Sequence, residues 1–215
     1  MIEQFSVYEL LFNEINKLIK IDTNIYVIGG AVLLYRDIKP ATKDIDIVVD
    51  TKEEFNELVK VLKQIGFKPA ELLDGYQNFK LSEQLKKEEM QVDLFLREVC
   101  SKFSFSKNMI NRSEKIISLN KVKVYLSSNE DVFSFKTMTG RPGDLADCIS
   151  LAKTGLDWNI IFSETLFQIK ESGKDIWITW INERLIDLDE KGVVIPILEK
   201  TNNLAIEYME NKYPK

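Results

Sequence analysis

Residues 25–50 read Ile25-Tyr-Val-Ile-Gly29-Gly30-Ala-Val-Leu-Leu-Tyr-Arg36-Asp-Ile-Lys39-Pro40-Ala-Thr42-Lys43-Asp44-Ile-Asp46-Ile-Val-Val-Asp50. The order is strand, glycine turn, short helix, loop, second strand. Side chains alternate faces along a strand, so Asp44 and Asp46 point one way while Ile45, Ile47 and Val49 point the other. Two carboxylates that close resist joint ionisation, and a fold keeps such a pair where cations neutralise it. Hard oxygen ligands with no His or Cys nearby suit Mg2+. The glycines follow a run of β-branched and aromatic residues, where the backbone can turn sharply and lie bare of side chains. Bare amides at a helix start bind phosphate.

Gly29-Gly30 followed at this spacing by Asp44-Ile-Asp46 resembles the minimal nucleotidyltransferases of the polymerase-β-like superfamily, in particular the stand-alone and toxin or abortive-infection types. The approach Ala41-Thr42-Lys43-Asp44-Ile45-Asp46 is similar to that family as well. The family commonly carries a basic residue shortly before this Thr; here Pro40 stands near that place, with Lys39 and Arg36 beside it. The resemblance implies an α+β fold, a mixed twisted sheet flanked by helices, followed by a C-terminal helical bundle. It also implies Mg2+, or Mn2+ in its place, with a nucleoside triphosphate as substrate and Gly29, Gly30, Thr42 and Lys43 at the nucleotide.

Around this centre the chain predicts an amphipathic helix over residues 5–20, with Val7, Leu10, Leu11, Ile15, Leu18 and Ile19 at helical intervals. Asp37 to Lys43 reads as a mobile loop able to gate the site. A helix capped by Asp50 or Thr51 runs to Ile65 and stops at Gly66. Strands are expected at Phe67 to Leu72, Gln77 to Leu81 and Met90 to Arg97, joined by Asp74-Gly75 and by a charged turn from Ser82 to Glu89. Asp93 stands inside the last of these, where a lone carboxylate among apolar residues is costly unless paired or metal-bound. With Asp44 and Asp46 it would complete a triad able to hold two divalent ions roughly 4 Å apart. The resembling family places its third carboxylate on such a later strand.

From residue 104 the pattern reads helical to about Ile117, and Lys121 to Leu126 as a strand closing a first domain at 126. Residues 127–215 read as helices: one capped at Ser128 or Asn129, one capped by Asp144 and running to Thr154, then Trp158 to Glu171, Lys174 to Asp189 and Val194 to Lys212. The segment from Lys136 through Arg141 and Asp144 to Asp147 resembles a feature of the toxin-type enzymes, a Lys on one helix followed by Arg-x-x-Asp-x-x-Asp opening the next. It implies that Lys136 reaches the triphosphate, with Arg141, Asp144 and Asp147 pairing or orienting it. The tryptophans at 158, 177 and 180 read as core, or as an anchor for a partner.

Composition narrows the chemistry. Hydrophobic content of 45% with 29% charge is that of an ordinary soluble globule. The absence of histidine excludes imidazole-dependent triads and His-ligated zinc, leaving carboxylates, lysines or metals. Cys100 and Cys148 lack metal-type spacing and read as buried thiols. No apolar run approaches eighteen residues, and Met1-Ile-Glu-Gln-Phe is not a signal sequence, so the expectation is a cytoplasmic protein without a membrane partner. A net charge of −5 argues against sequence-blind nucleic-acid binding, yet Lys102, Lys107, Arg112, Lys115, Lys121 and Lys123 stand against Glu114 alone between residues 102 and 123.

The function so expected is metal-dependent transfer of a nucleoside monophosphate to an acceptor hydroxyl, with release of pyrophosphate. Asp44, Asp46 and Asp93 carry the metals. The acceptor is RNA, protein or a small molecule, and an antitoxin or a second copy is the expected protein partner. The alternative is a nucleotide-binding regulatory module with little or no catalysis.

Overall fold

The structure, a computed structural model, describes residues 1–70, 82–99 and 101–213. The strand expected at Gln77 to Leu81, the Asp74-Gly75 turn, the end of the strand expected from Phe67 and Cys100 lie outside the described residues. The chain divides into two compact units, Met1–Ser128 and Asn129–Lys215.

The first unit is α+β. Its described strands are β1 (Thr23–Ile28), β2 (Asp44–Val49), β3 (Lys68–Pro69), β4 (Ser82–Lys87), β5 (Met90–Leu96), β6 (Glu114–Ser118) and β7 (Val122–Leu126). They form one mixed sheet in the order β3-β4-β5-β2-β1-β7-β6. The central strand β2 pairs antiparallel with β1 and parallel with β5, and β1 pairs parallel with β7. The alternation in the sequence sorts the two faces. Ile25, Val27, Ile45, Ile47, Val49, Val92, Leu94, Val124 and Leu126 are all buried. They build the core with Leu11, Phe12 and Ile15 of α1 (Ser6–Leu18), Val32 and Leu33 of α2 (Gly30–Tyr35) and Leu58, Val61 and Leu62 of α3 (Lys52–Gln64).

Helix α3 begins where Thr51 and Glu54 form a capping box: Glu54 N donates to Thr51 Oγ1 at 3.2 Å and Thr51 N donates to the Glu54 carboxylate at 3.0 Å. Such a cap stabilises by about 1 kcal/mol. The other oxygen of Glu54 accepts from Asn24 N at 3.0 Å, which ties the helix start to β1.

Two elements differ from the sequence expectation. Within the charged segment Ser82 to Glu89, Ser82–Lys87 is a strand, β4, followed by the two-residue turn Glu88-Glu89, with Glu88 at φ 53°. Its backbone pairs with β3 on one side and β5 on the other, and Leu85 is its one apolar residue, so pairing rather than apolar periodicity makes it a strand. The stretch 104–117 holds only the short α4 (Lys107–Arg112) before β6, an edge strand paired with β7 through an irregularity at Lys115/Ile117.

The second unit is helical: α5 (Asn129–Thr137), α6 (Pro142–Ala152), α7 (Trp158–Ser172), α8 (Trp177–Asp189) and α9 (Leu198–Lys212). Every side chain from Asp131 to Thr137 is buried, and α6, α7 and α8 pack around α5. Helix α6 starts two residues before the expected cap, because Pro142 has the φ of a first helical residue and no N–H to leave unpaired. Helix α9 starts at Leu198 rather than Val194, as Pro196 disfavours helical Ile195. Trp177 is buried and Trp180 is 43% exposed. Among the described residues no helix is long and apolar enough to cross a membrane.

Candidate active site

Strand register brings the three aspartates onto one face. Asp44 and Asp46 are two residues apart on β2, and Asp46 is the register partner of Asp93 on β5. Both strands run the same way, so paired positions share a face and Asp93 stands beside Asp46. All three carboxylates are half-buried.

Glutamines frame the third carboxylate. Gln84 is the β4 partner of Asp93, and its Nε2 donates to Asp93 Oδ2 at 3.2 Å. Gln91, two residues before Asp93, donates from Nε2 to Oδ1 at 2.8 Å. Both oxygens of Asp93 therefore accept an amide.

From the other side of β2 come the glycines. Ile28, the last residue of β1, pairs with Asp46, so the chain turns at Gly29 directly beside that carboxylate. Gly29 has φ +67°, a conformation L side chains rarely adopt, and a Cβ there would collide with Asp46 Oδ2. A Cβ on Gly30 would lie 2.6 Å from Thr42 Oγ1. Gly29→Ala is expected to destabilise the protein by about 1–3 kcal/mol through backbone strain and displacement of Asp46. A thermal melt checks this; an unchanged Tm would contradict the close approach.

The loop after α2 is pinned at its end. Thr42 is buried and exchanges backbone hydrogen bonds with Ile2, at 2.7 and 2.9 Å, and its hydroxyl donates to Asp44 O at 3.3 Å. Lys43 is exposed. Arg36 is turned to structural work: its guanidinium donates to Ser127 O at 3.0 Å and pairs with Glu114 at 3.5 Å. Tyr8 was not singled out in the sequence. Fully buried on α1, it donates its hydroxyl to Asp44 O at 3.1 Å, and burial, reinforced by the Asp44 and Asp46 carboxylates, pushes its phenol well above the ordinary range.

Metal fit rests on donor chemistry. Among the described residues no group of three or more His, Cys, Asp or Glu side chains is arranged to hold a metal ion. Mg2+ does not require a complete protein cage, since it is bound by one or two carboxylates with water and substrate phosphates. The pair Asp46 and Asp93, with Asp44 on the same face, supplies that donor type.

A profile of nucleotidyltransferases of unknown function, DUF6036, matches residues 8–186, a span that includes every residue named above as a site candidate. The chain belongs to this nucleotidyltransferase family. No curated protein matches it. A similar solved structure is that of a Thermotoga maritima protein provisionally described as a nucleotidyltransferase, with 14% identity and a TM-score of 0.43 over 63% of this chain and 84% of that one.

The helical unit of this nucleotidyltransferase holds the remaining candidates in one cluster. Lys136 Nζ lies 2.8 Å from Asp144 Oδ1 and 2.7 Å from Asp147 Oδ2, and all three residues are buried. Thr139 Oγ1 and Arg141 Nε donate to Asp144 Oδ2 at 2.5 and 2.6 Å. Burial alone would lower the pKa of Lys136, but the Asp144 and Asp147 carboxylates outweigh it and hold the ammonium above its ordinary value. Burial likewise opposes ionisation of Asp144, and Lys136 with the hydroxyl and guanidinium donors holds its carboxyl below the usual range. The buried Cys148 thiol is pushed up to about 12 by burial.

Proposed function

We propose that the protein transfers a nucleoside monophosphate from a nucleoside triphosphate to an acceptor hydroxyl. The acceptor oxygen forms a bond to the α-phosphorus, the bond from that phosphorus to the β-phosphate oxygen breaks, pyrophosphate leaves, and the hydroxyl proton passes to water. The observation that carries this reading is the in-register pair Asp46 and Asp93, with Asp44 on the same face and the Gly29 turn against Asp46. Membership of the nucleotidyltransferase family supports it.

Asp44, Asp46 and Asp93 would hold Mg2+ or Mn2+, which when bound neutralises phosphate charge and lowers the pKa of the attacking hydroxyl. The chain itself supplies orientation. The turn at Gly29 and Gly30, bare of side chains, would receive the triphosphate, and exposed Lys43 would add a cation beside Asp44. Tyr8 and Thr42 both hydrogen-bond Asp44 O and fix the start of β2, so the carboxylates are presented without reorganisation. Gln84 and Gln91 donate to the two oxygens of Asp93 and restrict its side chain.

Incubation with each of the four α-labelled triphosphates and Mg2+, against RNA, protein and small-molecule acceptors, tests the proposal. Label moves to one acceptor class and pyrophosphate appears in equal amount. No transfer with any nucleotide, and no nucleotide binding sensitive to Asp44→Ala, would overturn it.

A second reading is a nucleotide-binding regulatory module. What favours it is that amide donors engage both oxygens of Asp93. Calorimetry with a non-hydrolysable triphosphate separates the two: binding independent of Mg2+, without turnover, is the outcome for the module.

A further inference from the structure

We propose that one side of the helix pair α8 and α9 is a docking groove for a basic amphipathic helix of a partner polypeptide. The inference stands apart from the transfer reading, because all of its residues lie in the helical unit and none is a site candidate. Helix α9 is apolar on more sides than its packing uses. Thr201 and Ala205 are buried, whereas Ile206, Met209 and, just after the helix, Tyr213 are 49%, 46% and 64% exposed. With Asn202, four residues before Ile206, they form one line at helical intervals about 16 Å long. An outer helix with such a stripe beside its buried face is built to be covered.

Helix α8 continues the same side. Asn182 Nδ2 donates to Asn202 Oδ1 at 3.2 Å, which sets these two helix sides against each other. One turn after Asn182 stands Ile186, 40% exposed. The asparagine pair is thus the floor of a groove, with apolar side chains exposed on both of its helices.

Charge selects the occupant. At about 100° per residue, Glu183 and Glu190 fall just beyond Ile186, on the side away from Asn182. Glu199 and Glu210 fall just beyond Ile206, on the side away from Asn202. All four are exposed, and none forms an ion pair among the described residues. The groove therefore has a carboxylate rim on each side. The basic residues within the two helices are turned elsewhere: Arg184 donates to Thr139 O at 2.6 Å and pairs with Asp187, Lys200 lies over the Phe162 ring, and Lys212 donates to Tyr208 Oη at 2.9 Å. The imbalance extends to the whole unit. Residues 1–128 hold 19 Lys and Arg against 19 Asp and Glu, and residues 129–215 hold 10 against 15, so the net charge of −5 resides in the helical unit.

A third helix packed on two others lays its apolar ridge between them and directs its flanking residues to both rims. Lys or Arg at those flanks would meet Glu183 and Glu190 on one rim and Glu199 and Glu210 on the other. The same carboxylates repel nucleic acid and anionic membrane surfaces. A second copy laid on this face about a twofold axis would set like charge against like.

Fluorescence anisotropy with the full chain and three labelled 15-residue helical peptides tests the groove. The first carries Leu at i, i+4, i+7 and i+11 with Lys on both flanks, the second has Glu for each Lys, and the third scrambles the first. The Lys peptide is expected to bind at least about tenfold more tightly than either of the others, and salt should narrow its lead over the Glu peptide. Ile206→Gln/Met209→Gln puts a good helix former at two half-exposed positions, so Tm should hold while the Lys peptide binds about tenfold more weakly or worse. Replacing Glu183, Glu190, Glu199 and Glu210 together by Lys should make the Glu peptide the tighter binder; if the double variant melts early, this reversal decides alone. No binding of the Lys peptide, equal binding of the Glu peptide, or an order of preference unmoved by the charge reversal would overturn the proposal. So would a dimer in sedimentation velocity that Ile206→Gln/Met209→Gln dissociates, since a second copy would then be the occupant.

Discussion

Asp46→Asn is expected to lower nucleotidyl transfer by about a thousandfold or more while leaving the protein as stable as before, or slightly more stable. Asparagine keeps the size of the side chain beside Gly29 and Asp93 but removes the charge that, in the proposed mechanism, would hold a phosphate-bound cation, a loss on the scale of removing a central electrostatic contact in a transition state. The stability half follows from register. Like charges directly opposite on paired strands repel, and relieving that contact returns up to about 1 kcal/mol. Steady-state transfer kinetics beside a urea melt measure both. A structural carboxylate would give the opposite pattern, lost stability with activity falling only in proportion to unfolding.

Lys136→Met should carry the largest stability cost, about 3 kcal/mol or more, because Asp144 and Asp147 would be left buried without their ammonium partner. Methionine fills most of the volume, so packing loss contributes little. The wild-type pair has a defined pH window. Asp144, with its folded pKa lowered, contributes stability that is present above the unfolded carboxylate value and lost as pH falls through the folded one. Lys136, with its folded pKa raised, contributes stability that is full below the unfolded value of 10.5 and lost as pH rises through the folded one. In Lys136→Met the acid limb should flatten, since Asp144 loses the buried ammonium that lowers its pKa and keeps only the Thr139 and Arg141 donors. Urea melts at pH 4 and pH 7 decide it: a variant that loses stability on acidification as the wild type does would contradict the pairing.

The centre of the fold was legible because its signals are local. Asp44 and Asp46 lie two residues apart, and period two alone places them on one face; Gly29-Gly30 follows a β-branched run and ends it. Asp93 was legible by type, as a carboxylate in an apolar strand, but its place beside Asp46 depends on β5 pairing parallel with β2, a contact between residues 47 positions apart. What escaped the sequence has no local signal. Ser82-Glu-Gln-Leu-Lys-Lys87 is nearly all polar, and pairing on both sides makes it a strand. Gln84 then becomes an Asp93 partner only through the β4–β5 register. Edge strand β6 has an irregular pattern and, among the described residues, pairs with β7 alone. Tyr8 looks like any apolar-face residue of an amphipathic helix; its hydroxyl matters because α1 delivers it to Asp44 O.

Anomalous diffraction from crystals soaked with Mn2+ and a non-hydrolysable triphosphate tests the central claim most directly. A Mn2+ peak is expected in contact with Asp46 and Asp93, with the triphosphate at Gly29 and Gly30, and no peak in Asp46→Asn. Nucleotide and metal bound elsewhere, or an Asp46→Asn crystal with the same peak as the wild type, would contradict it.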